Sequence, residues 1–430
     1  MIGRSIAILL SLGLLSEAAR ADYTIVVDPA RLHELTLSLR LPKAEGAPQR
    51  LNVRGAAWGL DSQVHSARCG NTPLKQQKDG TWIAESSCRE VTWNVGPLVV
   101  ADGRADVSQQ ATLLFQQPRW LLLSEPTSML RLMDVPPASA SRITVQPGAA
   151  AMLGATALGE RSWRMPSADE APEFFVVGDV PARSRTIGAF EVRYVADNPG
   201  RVEALGLEPL HQKALEYLAR VLPPPPALPA AERTLLVIWV GIDEQRRRIG
   251  GAAGNRSFVA NYVIKSDSAR FDAARALTVL AHEQFHQLAA LIRGRLPALP
   301  VWISESLAHY YGLKALEKVA PGEDAGLIRA EFIAPSRTIT AGLLELERRH
   351  AAQDRSAYPL FYSQGATFWA AIDDALRANS AGVGDLDALI PGLLGMSMEP
   401  GARLPAAFVA RLRTDLGARA DELLAKYVGE

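Results

Sequence analysis

The segment of this sequence best suited to chemistry is His282-Glu283-Gln284-Phe285-His286, inside a stretch of helical hydrophobic periodicity. Histidines four apart on a helix sit one turn above each other on one face. Their imidazoles can converge on a single tetrahedral Zn²⁺, one per chain, while Glu283 projects beside a metal-bound water. Glu305 follows after 18 intervening residues and opens a second helical stretch, Trp302–Leu313. Pro297 and Pro300 in between suit a connection that reverses the chain. A carboxylate on that second helix would complete a two-histidine, one-glutamate site with one coordination position left for water or substrate. Two core histidines and a solvated helix carboxylate are the plain alternatives; the three residues together favour zinc.

The elements that must carry these groups change character along the chain. From Tyr23 to about Asn198 the pattern is period two, as in the leucines at 35, 37, 39 and 41 with polar residues between. Such alternation belongs to half-buried strands. Similar strands are expected at Thr81–Ala84, Val91–Val95 and Ile187–Tyr194, which together suggest an all-β, sandwich-like domain. Leu205–Leu222 has helical spacing, ended by Pro223–Pro226. Thr234–Val240 is a continuous apolar run, most simply a buried strand. From Asp267 onward the chain is mostly helical, with breaks near Pro321, Pro335, Gly382 and Pro400. The expected architecture is an α+β multidomain protein.

Composition narrows the function. With 48% apolar and 21% charged residues a packed core is expected, and 46 basic against 46 acidic residues give no electrostatic reason for a nucleic-acid or anionic-membrane partner. The first 21 residues carry Arg4, an apolar run from Ile6 to Leu15, and Ala19-Arg20-Ala21. They read as a cleavable signal peptide, too short to span a bilayer. The protein is therefore expected to be exported, to a bacterial periplasm or the medium, with no membrane span after cleavage. In that setting the only cysteines, Cys69 and Cys88, read as one disulfide, which for a loop of this size contributes roughly 3 kcal/mol.

The segments HEQFH and WISESLAHYYG resemble the H-E-x-x-H and W-x-x-E-G-x-x-x-Y-Y signatures of gluzincin metallopeptidases, and within them the glycyl aminopeptidase family. GGAAGNRSF at Gly250–Phe258, YSQGATFWAAIDDALR at Tyr362–Arg377 and DLDALI at Asp385–Ile390 follow in the family's order. The resemblance is strong in the catalytic half and weaker in the β half. It implies a signal peptide (1–21), an N-terminal β domain (22–200), a thermolysin-like catalytic domain (201–320) and a helical C-terminal domain (321–430) that contributes Tyr362. Many family members carry a further PDZ domain, which this chain is expected to lack.

The resemblance also implies roles. Glu283 would be the general base, and Tyr362 would donate a hydrogen bond to the oxyanion of the tetrahedral intermediate. Gln364 stands where the family has lysine, Ser306 where it has glycine, and His309 lies on the helix face of Glu305. Gly250, Gly251, Ala252 and Ala253 would line the substrate cleft. Family members carry there a glutamate expected to hold the substrate's free amine; here Ala253 falls at that position, with Asp243 or Glu244 as the nearest alternative carboxylates. The expected function is that of a zinc-dependent peptidase acting on peptides or proteins, with altered recognition of the N-terminal amine and scope for endopeptidase action. A catalytically weak, zinc-containing peptide-binding or partner-stabilising protein is the alternative.

Overall fold

The computed structural model describes residues 22–429 apart from 29, 43–45, 101–104, 134–140, 148–150, 244–248, 266–267, 334–338 and 381–383. The proposed signal segment and Glu244 lie outside the described residues. Among the described residues the protein is a mixed α+β assembly with four β-sheets and a helical C-terminal region. No helix among the described residues is long and apolar enough to cross a membrane.

The first half of the chain forms sheets of eight, five and four strands. The alternating leucines lie on Leu35–Arg40, where Leu37 pairs with Trp93 and Leu39 with Val91 of the neighbouring Glu90–Val95 strand. Leu35, Leu37 and Leu39 are fully buried in one cluster with Tyr23, Ile25, Trp93 and Ile143. The two cysteines are joined, Cα to Cα 5.9 Å, and the bond ties Cys69 at the end of one strand to the turn before another.

The apolar run Thr234–Ile242 is a strand with all nine residues buried. It explains how the two halves meet. Its odd-numbered residues Leu235, Val237 and Trp239 face a cluster built with the helices Leu207–Val221, Ala269–Arg293 and Val301–Val319. Its even-numbered residues Leu236, Ile238 and Val240 face Leu113, Phe115, Leu122 and Phe174 of the five-stranded sheet in the β half. A strand covered on both faces has no place for a polar position, so its pattern is continuous. Ile187–Tyr194, grouped above with the β half, belongs elsewhere. Phe190–Ala196 pairs in parallel with Thr234–Ile242, and Arg183–Ile187, just before it in the chain, is its hairpin partner. Period-two alternation marks a strand but does not name its sheet.

The order of this last sheet is Arg183–Ile187, Phe190–Ala196, Thr234–Ile242, Ser257–Val263 and, at the edge, Gly251–Ala253. The edge strand has only three small residues, which no periodicity reading reveals.

Replacing both cysteines by alanine is expected to lower the stability of the β half by roughly 3 kcal/mol. Urea denaturation of the double variant against the native protein measures it, and an unchanged midpoint would contradict it.

Candidate active site

His282 and His286 lie on the inner face of Ala269–Arg293, the histidine helix. Their Nε2 atoms are 3.1 Å apart, and the Glu305 carboxylate oxygen lies 3.5 Å from the first and 3.7 Å from the second. One ligand atom from each of the three residues lies within 4.8 Å of the others. Three lone-pair donors this close repel one another unless a proton or a cation sits among them. The set therefore fits a metal ion. Burial opposes charge on both partners, but the carboxylate raises the His286 pKa, and the histidines hold Glu305 well below the usual carboxylate range.

Packing and hydrogen bonds aim these groups. Glu305 is on Val301–Val319, the glutamate helix, which begins directly after Pro300. Its first amides, those of Val301 and Trp302, donate to the Glu347 carboxylate at 3.0 and 2.8 Å. A carboxylate supplied from another helix thus caps this one and offsets its N-terminal partial charge. Ser304 Oγ lies 3.3 Å from His286 Nδ1, so a proton on Nδ1 leaves the Nε2 lone pair facing Glu305.

Glu283 points from the histidine helix toward the edge strand. A β-carbon on Gly251 would sit 2.9 Å from Glu283 Cγ and 3.0 Å from its carboxylate oxygen. Only glycine allows strand and helix this close. Burial raises the Glu283 pKa, against the opposing effects of both histidines and a hydrogen bond from the Ala253 amide. That direction suits a proton acceptor working near neutrality.

The edge strand has a free side. Asn261 N–H donates to Gly250 O at 2.9 Å and Gly254 N–H to Ser257 O at 2.7 Å, so the even-numbered residues bond to the neighbouring strand. By alternation Gly251 and Ala253 turn their backbone groups away from that strand; the Ala253 amide is taken by Glu283, and the others line the cleft. Gly250 instead faces Asp106 and Ser108 of the β half, and Ala252 is buried against it. Ala253 brings no charge to the cleft; Asp243 is exposed just past Ile242, and Glu244 lies outside the described residues.

Tyr362 reaches the site from a widened π-turn, Phe361–Gly365, between Tyr358–Leu360 and Ala366–Asn379. Its ring stacks on His282 at 5.5 Å and meets His309 edge-on at 5.3 Å, while its hydroxyl donates to Glu305 at 2.8 Å. A β-carbon on Gly365 would lie 2.3 Å from Ser306 Cβ, and the Ser306 hydroxyl accepts from Trp369 Nε1 at 2.7 Å. The serine that replaces the family glycine therefore fits because glycine stands opposite it. Gln364 is buried and donates to Ala341 O, away from Glu305. His309 is buried against His282, and burial lowers its pKa to about 3, so it is neutral.

Five contributors carried no recognisable sequence signal. Tyr358 lies with its hydroxyl 3.0 Å from that of Tyr362. Behind the histidine helix, Tyr194 bonds His211 Nδ1 at 2.8 Å, and His211 Nε2 meets Gln284 Oε1 at 3.2 Å. Gln284 then donates to Gln287 at 2.9 Å, and Gln287 donates to the carbonyls of Gly254 and Ser257 at 3.1 and 3.0 Å. This relay fixes the turn after the edge strand to the helix that carries the histidines. A lone histidine 73 residues before the nearer of two glutamines on another helix gives no pattern to find.

No family model and no curated protein matches the sequence. The fold does match: a crystal structure of an aminopeptidase N family protein from Idiomarina loihiensis superposes with a TM-score of 0.63 at 14% identity, covering 92% of this chain and 76% of that one. The chain thus has an aminopeptidase-N-like fold.

His211 gives a pH prediction. Burial lowers its pKa from 6.5 to about 4. The unfolded chain then binds a proton that the folded one refuses, so this stability is present above pH 6.5 and lost as pH falls toward 4. Between pH 7 and pH 5 the native protein should lose about 2 kcal/mol more than His211→Gln. Equal losses in urea titrations at the two pH values would refute this.

Proposed function

We propose that this chain is an exported, zinc-dependent peptidase of the gluzincin type, related in chemistry to the glycyl aminopeptidases. The observation that carries the reading is the convergence of His282 Nε2, His286 Nε2 and a Glu305 oxygen beside Glu283. Two imidazoles and one carboxylate are a catalytic zinc donor set that leaves a position open. The disulfide agrees with an oxidising compartment, and the aminopeptidase-like fold agrees with peptide hydrolysis.

In this reading His282, His286 and Glu305 hold Zn²⁺, which supplies Lewis acidity toward a water and the scissile carbonyl. Glu283 takes the proton of the attacking water and passes it to the leaving amine. Tyr362 donates a hydrogen bond from its hydroxyl to the carbonyl oxygen as negative charge builds there, a contribution worth ~3–4 kcal/mol in comparable sites. The outward Gly251 backbone groups and the Ala253 carbonyl hold the substrate as an added strand. Ala253 supplies no anion for a substrate ammonium, and losing such a charge pair in a desolvated site costs about 2–5 kcal/mol. The substrate is therefore a peptide whose amino terminus need not be free, including one cut internally.

Purified native protein should contain one zinc per chain and His286→Ala far less. Glu283→Gln should keep its zinc while turnover falls about 10²–10⁴-fold. Metal analysis beside a peptide-library digest reads both, and near-normal turnover in the metal-loaded Gln variant would place the chemistry elsewhere. A native protein that keeps zinc and binds peptides without cutting them would favour the binding-protein reading.

A peptide and its N-acetylated twin should be cleaved at similar kcat/KM. A strong preference for the free amine would restore a strict aminopeptidase mode.

A further inference from the structure

The edge strand has two faces. A β-carbon on Gly251 would meet Glu283, whereas one on Gly250 would lie 3.3 Å from Ser108 Cβ and 3.6 Å from Asp106 Oδ1. Asp106 therefore stands beside the start of the edge strand, on the face turned toward the β half. A buried side chain holds it there. Asn261, on Ser257–Val263, accepts from the Val107 amide at 3.3 Å and donates to the carbonyls of Ala105 and Val240 at 2.8 and 3.0 Å. The residues on either side of Asp106 are thus clamped to the sheet that carries the edge strand, and both are buried in the core shared with Ala252. Asp106 Oδ1 accepts from the amide and the hydroxyl of Ser108 at 3.0 and 2.5 Å. Its Oδ2 is open to solvent, and among the described residues no hydrogen-bond donor or basic side chain pairs with it.

Capping the short turn Val107–Gln109 needs an acceptor and not a charge, since asparagine or serine serves as well. We propose that Asp106 is a specificity-determining residue that holds a lysine or arginine side chain of the substrate, a proposal resting on the peptidase reading above. A peptide added along Gly251–Ala253 alternates its side chains between the two faces of the sheet, and residues directly opposite each other point the same way. The substrate residue opposite Gly251 faces the histidine helix and Glu283. Its neighbour opposite Gly250 faces Ser108 and the free Asp106 oxygen. Glycine at 250 puts no side chain in the way, so a long cationic side chain lays its stem across that position and its charge at Oδ2. A glutamate there meets like charge. Because Glu283 works on the water at the cleaved bond, the residue facing Asp106 lies within about two positions of that bond, whichever way the substrate runs.

The test uses the zinc-loaded full-length protein, native and Asp106→Asn, on peptides that differ at a single residue. That residue is lysine, norleucine or glutamate, placed in turn at each position flanking the cleaved bond; norleucine copies the lysine stem without its charge. At one position the native kcat/KM should favour lysine over norleucine by about 5–20-fold, with glutamate below both, and added salt should narrow the gap. Asp106→Asn keeps an acceptor for the Ser108 amide but loses the charge, so its lysine-to-norleucine ratio should fall to about 1. The ratio is taken within one preparation, so any change in folded fraction cancels. No lysine preference at any position of the native protein overturns the proposal alone, as does a preference that survives in Asp106→Asn. So does a loss in Asp106→Asn that follows the free α-amine and vanishes with N-acetylated peptides, because the carboxylate then anchors the terminus. A native protein that holds zinc yet cleaves none of the peptides overturns the peptidase reading and this proposal together.

Discussion

Everything in the candidate site follows from one electrostatic constraint: the two imidazole nitrogens and the carboxylate oxygen are brought too close to coexist without positive charge among them. Two of the donors come from one helix at a fixed spacing, so their separation is local. The third comes from a different helix and is held there only by tertiary structure. Partial burial sharpens the constraint, because water screens the lone pairs poorly. Against that burial, which disfavours charge on both, the pairing shifts His286 upward and Glu305 downward, each through the other.

Holding that arrangement takes more polar structure than the ligands themselves. Glu347 caps the glutamate helix at its first turn, and Ser304 orients His286 from behind. The relay from Tyr194 to Gln287 joins the histidine helix to the turn beyond the edge strand, with each side chain donating in one direction toward Gly254 and Ser257. In a low-dielectric interior such a chain stabilises only when every member is paired. Gly251 and Gly365 set the closest approaches, strand to helix and π-turn to glutamate helix, and both leave no room for a β-carbon.

The substrate side of the cleft is shaped by what is small. Gly251 and Ala253 present backbone without side-chain charge, and the edge is free because alternation turns their amides and carbonyls away from Ser257–Val263. In the proposed function, a cleft of this kind recognises the extended main chain of a peptide more than its terminus. The β half contributes too, since Ala252 packs into the core it shares with Phe174 and Val107.

Local chemistry was legible in the sequence because it depends on short, fixed spacings. The histidine pair four apart, the alternating leucines of Leu35–Arg40, the all-apolar Thr234–Ile242 and the proline stop after Leu207–Val221 are each dictated by backbone geometry over a few residues. Glu305 and Tyr362 were found only through family resemblance or context, since nothing in their spacing requires them to meet the histidines. The tertiary structure alone decided which sheet the hairpin Arg183–Ala196 joins, that three small residues form the free edge, and that Tyr358, His211, Gln284 and Gln287 serve the site. These depend on contacts between residues far apart in the chain, made by side chains common on any helix or strand. Helical and strand periods report which face a residue is on; they carry no information about what that face will meet.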